Sequence, residues 1–175
     1  MTVLFADLAG FSALAEQRDP EEIHAVVDRC FEMIATEVHR FEGTINQYTG
    51  DGVMALFGAP IAHEDAPRRA VHAALAIQDG VRDLSGELAS RLGRSLEMRI
   101  GLNTGPVVVG KIGDDLRMDY TAVGDTTNVA ARLQQNARPG SVLVGASTHR
   151  LVAGYFETVD LGELPVKGHV PVQAF

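Results

Sequence analysis

Two aspartates stand at the ends of β-type runs. Asp7 closes the run from Thr2 to Ala6, and Asp51 sits in Gly50-Asp51-Gly52, ahead of the run from Val53 to Phe57. Brought together beside Gly10, Phe11 and Ser12, where backbone N–H groups open a helical stretch, the two carboxylates would make a site for divalent cations with a phosphate alongside. Two metals held about 3.5–4 Å apart by shared carboxylates are the standard device for in-line displacement at phosphorus. One activates the attacking oxygen and the other holds the leaving phosphates. Asn128 and Arg132, four residues apart, fall on one face of a helix. Ala130 and Ala131 flank that stripe with side chains too small to cover a surface, as a helix approached closely by a ligand or partner requires. Lys167 places one cation beside the flexible Gly168. Each feature alone is common for structural reasons. Their chemical meaning depends on whether the fold assembles them.

The pattern along the chain predicts how the two aspartates meet. Asp19 as N-cap, Pro20 at the first position and Glu22 as a capping-box partner start a helix. Ile23, Val26, Val27, Cys30, Ile34, Val38 and Phe41 lay one apolar face on a core, and Gly43 is expected to end the helix. Two β-like runs, Thr44 to Thr49 and Val53 to Phe57, flank a hairpin signal at 50–52. Asp65 and Pro67 begin a second helix through Val71, Leu75, Val81 and Leu84 towards Leu92, and a strand from Leu96 to Leu102 follows. The order β-α-β-β-α-β is the split plan of the ferredoxin-like folds, an α+β arrangement with an antiparallel sheet and helices on one face. In that plan the first strand is central and antiparallel to the third, so Asp7 and Asp51 converge at one sheet end, on strands about 4.8 Å apart. Beyond it the sequence predicts a β-rich stretch from Val107 to Ile112, a polar arm from Gly113 to Arg117, and a helix from about Thr126 to Gln135. Short strands near Val142 to Val144 and Phe156 to Leu161 complete this C-terminal αβ extension. The chain starts on its first strand and stops in what reads as another, so it is expected to be one domain, 1–175, cut from something longer.

Composition narrows the function classes. With 15 Lys and Arg against 23 Asp and Glu, the net charge of −8 repels nucleic acid and anionic membrane. Any phosphate it binds needs local help. Cys30 is the only cysteine, which excludes an internal disulfide and cysteine-built zinc frameworks, and a reducing, cytoplasmic setting is expected. No apolar run approaches the roughly 18 residues of a spanning helix, and 1–8 lacks the basic start and long apolar core of a signal peptide.

FADLAGFS, TGDGVMALFG, GLNTGPVVVGKIG, YTAVGDTTNVAARL and VKGH occur in the order and spacing of the class III adenylyl and guanylyl cyclase domains, and the chain resembles that family over nearly its whole length. The resemblance implies cyclisation of ATP to cyclic AMP with two ions, Mg²⁺ or Mn²⁺, held by Asp7 and Asp51, with Leu8 in the same metal set. It implies that Gly10, Phe11 and Ser12 bind substrate, that Asn128 orients the ribose, that Arg132 stabilises the transition state and that Lys167 grips the β- and γ-phosphates. It also implies a homodimer with two equivalent sites, the metals of each from one subunit and the Asn/Arg pair from the other, with regulatory domains outside this stretch. At the base-reading pair the sequence departs from the family. Adenylyl cyclases typically carry Lys and Asp, and guanylyl cyclases Glu and Cys, where this chain has Gln47 and Thr121. The departure touches base selectivity and rate more than reaction type, and leaves room for GTP. The alternative, a catalytically weak domain that binds nucleotide or dimerises in a regulatory role, is usually marked by loss of an aspartate, the Asn or the Arg, and all four are present. The Gly-Gly-Asp/Glu-Glu-Phe signature of diguanylate cyclases is missing at the hairpin, and the acidic chain has no basic channel for a polymerase template.

Overall fold

The computed structural model describes residues 1–11, 15, 18–93, 95–112, 119–164 and 172–175, with 90–92, 109–112 and 119–123 described by backbone alone. Its centre is β1 (Thr2–Leu8), an alternating strand that buries Leu4, Ala6 and Leu8 on one face and turns Val3, Phe5 and Asp7 to the other. Antiparallel β3 (Gly52–Phe57) and β4 (Met98–Thr104) flank it. Outside these lie β2 (Gly43–Thr49), antiparallel to β3, and β7 (Ser141–Val144), parallel to β4. The expected central position of the first strand, and its pairing with the third, are both present. The sheet is mainly antiparallel, β7 being the exception.

Helix α1 (Pro20–Arg40) starts where its cap predicts: the Asp19 carboxylate accepts the Glu21 N–H at 2.8 Å. It buries Ile23, Val26, Cys30, Ile34 and Val38 against the sheet beside α2 (Ala66–Leu92). The exit from α1 differs from expectation. Glu42, at φ 60°, makes the left-handed turn, and Gly43 already belongs to β2. Space explains the glycine, because a Cβ there would lie 2.5 Å from the Phe57 ring.

Both helices of the β-α-β-β-α-β core lie on one face, as expected. The helix of the C-terminal extension, α3 (Asp125–Asn136), lies across the other face, where Ala130 packs against Val3, Met54 and Leu56. This overturns the expectation that Ala130 serves an exposed contact: it is fully buried and lets the helix sit low on the sheet. β5 (Val108–Ile112) and β6 (Asp119–Val123) form a separate two-stranded ribbon, and the polar arm expected at 113–117 lies outside the described residues.

Two further differences fall near the C-terminus. The strand expected at 156–161 is absent, since Phe156 packs its ring edge-on to His72 with centroids 4.8 Å apart, and Val159 and Leu161 are exposed. The pairing strands are β8 (Gly162–Leu164) and β9 (Val172–Ala174). A short helix, α4 (Ala146–Val152), was not foreseen: its buried Thr148 and Val152 give only one helical interval in seven residues.

Helix α3 rests on β4 at Gly101, where a Cβ would come 2.2 Å from the Gln134 backbone nitrogen and 2.4 Å from the Ala130 carbonyl oxygen. Neither backbone atom can move aside cheaply. Gly101→Ala is therefore expected to destabilise the fold by about 1–3 kcal/mol through overpacking, read as a lower urea midpoint with unchanged slope. An unchanged midpoint would show that α3 lifts off β4 without cost.

Candidate active site at the end of strands β1 and β3

The register pairs Asp7 with Gly52, and the Leu8 N–H donates to the Asp51 carbonyl at 3.4 Å. The hairpin is thereby folded back so that Asp51 faces Asp7, and the two side chains share a hydrogen bond. The glycines around Asp51 serve different ends. Gly50 takes φ 71°, the left-handed turn conformation. At Gly52 the constraint is contact: a Cβ would stand 2.8 Å from the Ala6 carbonyl oxygen and 3.0 Å from the Asp7 carboxylate. A side chain at 52 would push directly on Asp7.

Both carboxylates are half-buried. Burial, then the neighbouring Asp51 charge, then the hydrogen bond between the two groups push the Asp7 carboxyl up to about 6, while Arg99 and a hydrogen bond from Gln134 pull it down. Arg99 stands opposite Asp7 across β1 and β4, and its Nε is buried without a hydrogen-bond partner. Sequence reasoning missed both Arg99 and Gln134. Arg99 was within reach, as the one charged residue of β4. The partner of Gln134 is set by packing alone.

The donor set fits a hard divalent cation. Two carboxylates at one sheet end repel each other, and a cation removes that repulsion, while Mg²⁺-type ions complete their shell with waters and substrate phosphates. The Leu8 side chain is 2% exposed in the core, so only its backbone is available to the site. No group of three or more His, Cys, Asp and Glu suited to a metal occurs among the described residues.

Other expected site residues are placed as follows. Gly10 turns the chain at φ 65°, and Phe11 buries its ring in the main core, anchoring the loop after β1, while Ser12 lies outside the described residues. Asn128 is exposed and Arg132 half-buried on α3. Gln47 is exposed on β2, next to a register irregularity between Ile45 and Gln47. Strand β6, which carries Thr121 and is described there by backbone alone, lies against β2. Lys167 lies outside the described residues.

The fold agrees with the comparisons. The model of the adenylate and guanylate cyclase catalytic domain matches residues 1–175, and the chain belongs to that family. It is 38% identical over 135 residues to adenylate cyclase 1 of Rhizobium meliloti (strain 1021), covering 77% of this chain and 20% of that protein. The chain thus spans about a fifth of that curated relative's length. Among solved structures, the adenylyl cyclase CyaB from P. aeruginosa superposes with a TM-score of 0.93 at 32% identity, over 99% of this chain and 90% of that one. The guanylyl cyclase Cya2 superposes with a TM-score of 0.92 at 33% identity, over 99% and 88%. High similarity to both an adenylyl and a guanylyl cyclase leaves the base to be decided by local residues.

The raised Asp7 carboxyl predicts a pH dependence of the metal-free fold. The native state holds this proton up to about pH 6, whereas the unfolded chain releases it near 3.8. Its contribution to stability is therefore present below pH 3.8 and is lost as pH rises through 6. Asp7→Asn removes the loss. In chelator, its melting temperature should exceed wild type at pH 8, with the gap closing towards pH 4. A gap independent of pH would contradict the assigned strain between the two carboxylates.

Proposed function

We propose that the domain is an adenylate cyclase that converts ATP to 3′,5′-cyclic AMP and pyrophosphate at sites shared across a homodimer. The observation that carries this reading is the convergence of Asp7 and Asp51 at one sheet end in a chain of the cyclase family. In the reaction the ribose 3′-hydroxyl gives up its proton to solvent, its oxygen bonds to the α-phosphorus, the bond from that phosphorus to the α–β bridging oxygen breaks, and pyrophosphate leaves with the electron pair. Two divalent ions at Asp7, Asp51 and the Leu8 backbone would activate the 3′-hydroxyl and neutralise the phosphates. Asp7 and Asp51 would hold those ions at the mouth of β1 and β3, and the ions would offset the repulsion between the carboxylates and the phosphates. Backbone N–H groups at Gly10 and Phe11 face the phosphate chain. Asn128 hydrogen-bonds the ribose, Arg132 meets the charge that builds in the transition state, and Lys167 holds the terminal phosphates. The exposure of Asn128 on α3 supports its service to a nucleotide held by a second subunit.

Base reading falls to Gln47 and Thr121, whose strands lie together. A Lys only donates and a carboxylate only accepts, whereas the Gln amide and the Thr hydroxyl can each do either. Groups that reorient escape much of the penalty for facing the wrong base. The reading is therefore a preference for ATP with measurable turnover of GTP.

Three results test these statements. Asp51→Asn should fold normally and lose several orders of magnitude in cyclic AMP formation with Mg²⁺, and near-normal activity would remove Asp51 from the metal site. Asp51→Ala and Arg132→Ala should each be inactive, yet a mixture should recover up to about a quarter of wild-type activity, since half the dimers are mixed and keep one intact site of two. No recovery despite proven subunit exchange would place each site within one chain. Gln47→Lys with Thr121→Asp should sharpen the kcat/KM preference for ATP over GTP by about 1–3 kcal/mol. If the natural chain already rejects GTP that strongly, these residues do not read the base.

A further inference from the structure

Gln134 is a buried amide, 8% exposed, on the side of α3 that lies on the sheet between Leu133 and Ala137. A buried amide must find hydrogen-bond partners, and this one lies near enough to Asp7 to lower its carboxyl. The topology shows why the two are neighbours. Arg99 and Gly101 share a face of β4, Arg99 stands opposite Asp7, and the helix backbone at Gln134 sits on Gly101. A Cβ at 101 would be 2.2 Å from the Gln134 nitrogen and 2.8 Å from its Cα, so the root of this side chain is held by contact rather than by a flexible arm.

We propose that Gln134 is a positioning residue for Asp7: it donates an amide N–H to the carboxylate, fixes which oxygens are left to face the metals, and ties the metal site to the helix bearing Asn128 and Arg132. The proposal rests on the reading of Asp7 and Asp51 as metal ligands. An ionised carboxylate offers about four acceptor positions, and one bond from the helix side leaves the others for cations and for the approach of Asp51. The donor is neutral, so it orients Asp7 without competing with a cation for its charge. Arg132 lies two residues before Gln134 on the same helix, so in a shared-site dimer one rigid element would hold its own chain's metal ligand and the partner site's transition-state group. Removing the amide should therefore weaken metal binding first and nucleotide recognition little.

The test is a Mn²⁺ titration followed by electron paramagnetic resonance, with the full chain and α,β-methylene-ATP, on wild type, Gln134→Met, Gln134→Asn and Asp51→Asn. Met fills the space of Gln without a donor, and Asn keeps the donor one methylene too short to reach. Both should raise the Mn²⁺ dissociation constant about ten- to a hundredfold, the usual effect of losing a partner that orients a ligand. The KM for ATP at saturating Mn²⁺ should stay within about twofold of wild type, a split that general damage to packing would not give. If Gln134→Met fails to fold, Gln134→Asn carries the same question. Wild-type Mn²⁺ affinity in the folded Gln134 variants, with affinity lost in Asp51→Asn, would overturn the positioning role alone. Wild-type affinity in Asp51→Asn would overturn the metal assignment on which it stands.

Discussion

Strand pairing holds two like charges together. Each step of β1 against β3 contributes backbone hydrogen bonds and buried side chains, and the sum brings the Asp7 and Asp51 carboxylates into contact although they repel. Burial and then repulsion leave Asp7 with a carboxyl raised to about 6, a state that a divalent cation relieves. The core helices α1 and α2 cover one face of the sheet and bury its apolar side chains. The loops at 8–11 and 50–52 take their shape from what the two aspartates need: a left-handed Gly50, a Gly52 with no room for a Cβ, and a Phe11 anchored in the core. On the proposed reading, stability given up at this point becomes affinity for metal and phosphate.

The second constraint is the close approach of α3 to the opposite face of the sheet. Ala130 and Gly101 are small because helix backbone and strand backbone touch there. That contact sets the height of the whole helix, and with it the positions of Asn128, Arg132 and Gln134. The face turned to the sheet carries Gln134, buried over Gly101, and the other face carries Asn128 to solvent. A helix floating higher on bulkier side chains would lose the first contact and change the reach of the second.

How much of this was legible in the sequence follows from the range of each interaction. The α1 cap, the apolar stripe of that helix and the hairpin at Asp51 are local, and each was readable. The convergence of Asp7 and Asp51 is long-range, yet the order of elements admits few topologies, so it was readable too. What escaped depends on packing between distant segments. Ala130 looked like a small residue kept for an exposed approach, because sequence does not show which face of a short helix meets the sheet. Phe156, Val159 and Leu161 supply strand-type apolar residues, but of these only Leu161 meets the β9 edge, its N–H donating to the Ala174 carbonyl at 3.0 Å, and the Phe156 ring packs on His72. The Gly43 signal was read as a helix stop when its reason was the Phe57 ring. Gln134 gave no signal, since a glutamine near the end of a helix is ordinary until its partner is known.

The most direct test of the account is a crystal of the chain grown with Mn²⁺ and α,β-methylene-ATP and measured for anomalous scattering from manganese. The account predicts two anomalous peaks about 3.5–4 Å apart, both within coordination distance of Asp7 and Asp51, with the α-phosphate against them. Peaks elsewhere, or nucleotide bound in full with neither aspartate touching a metal, would contradict it.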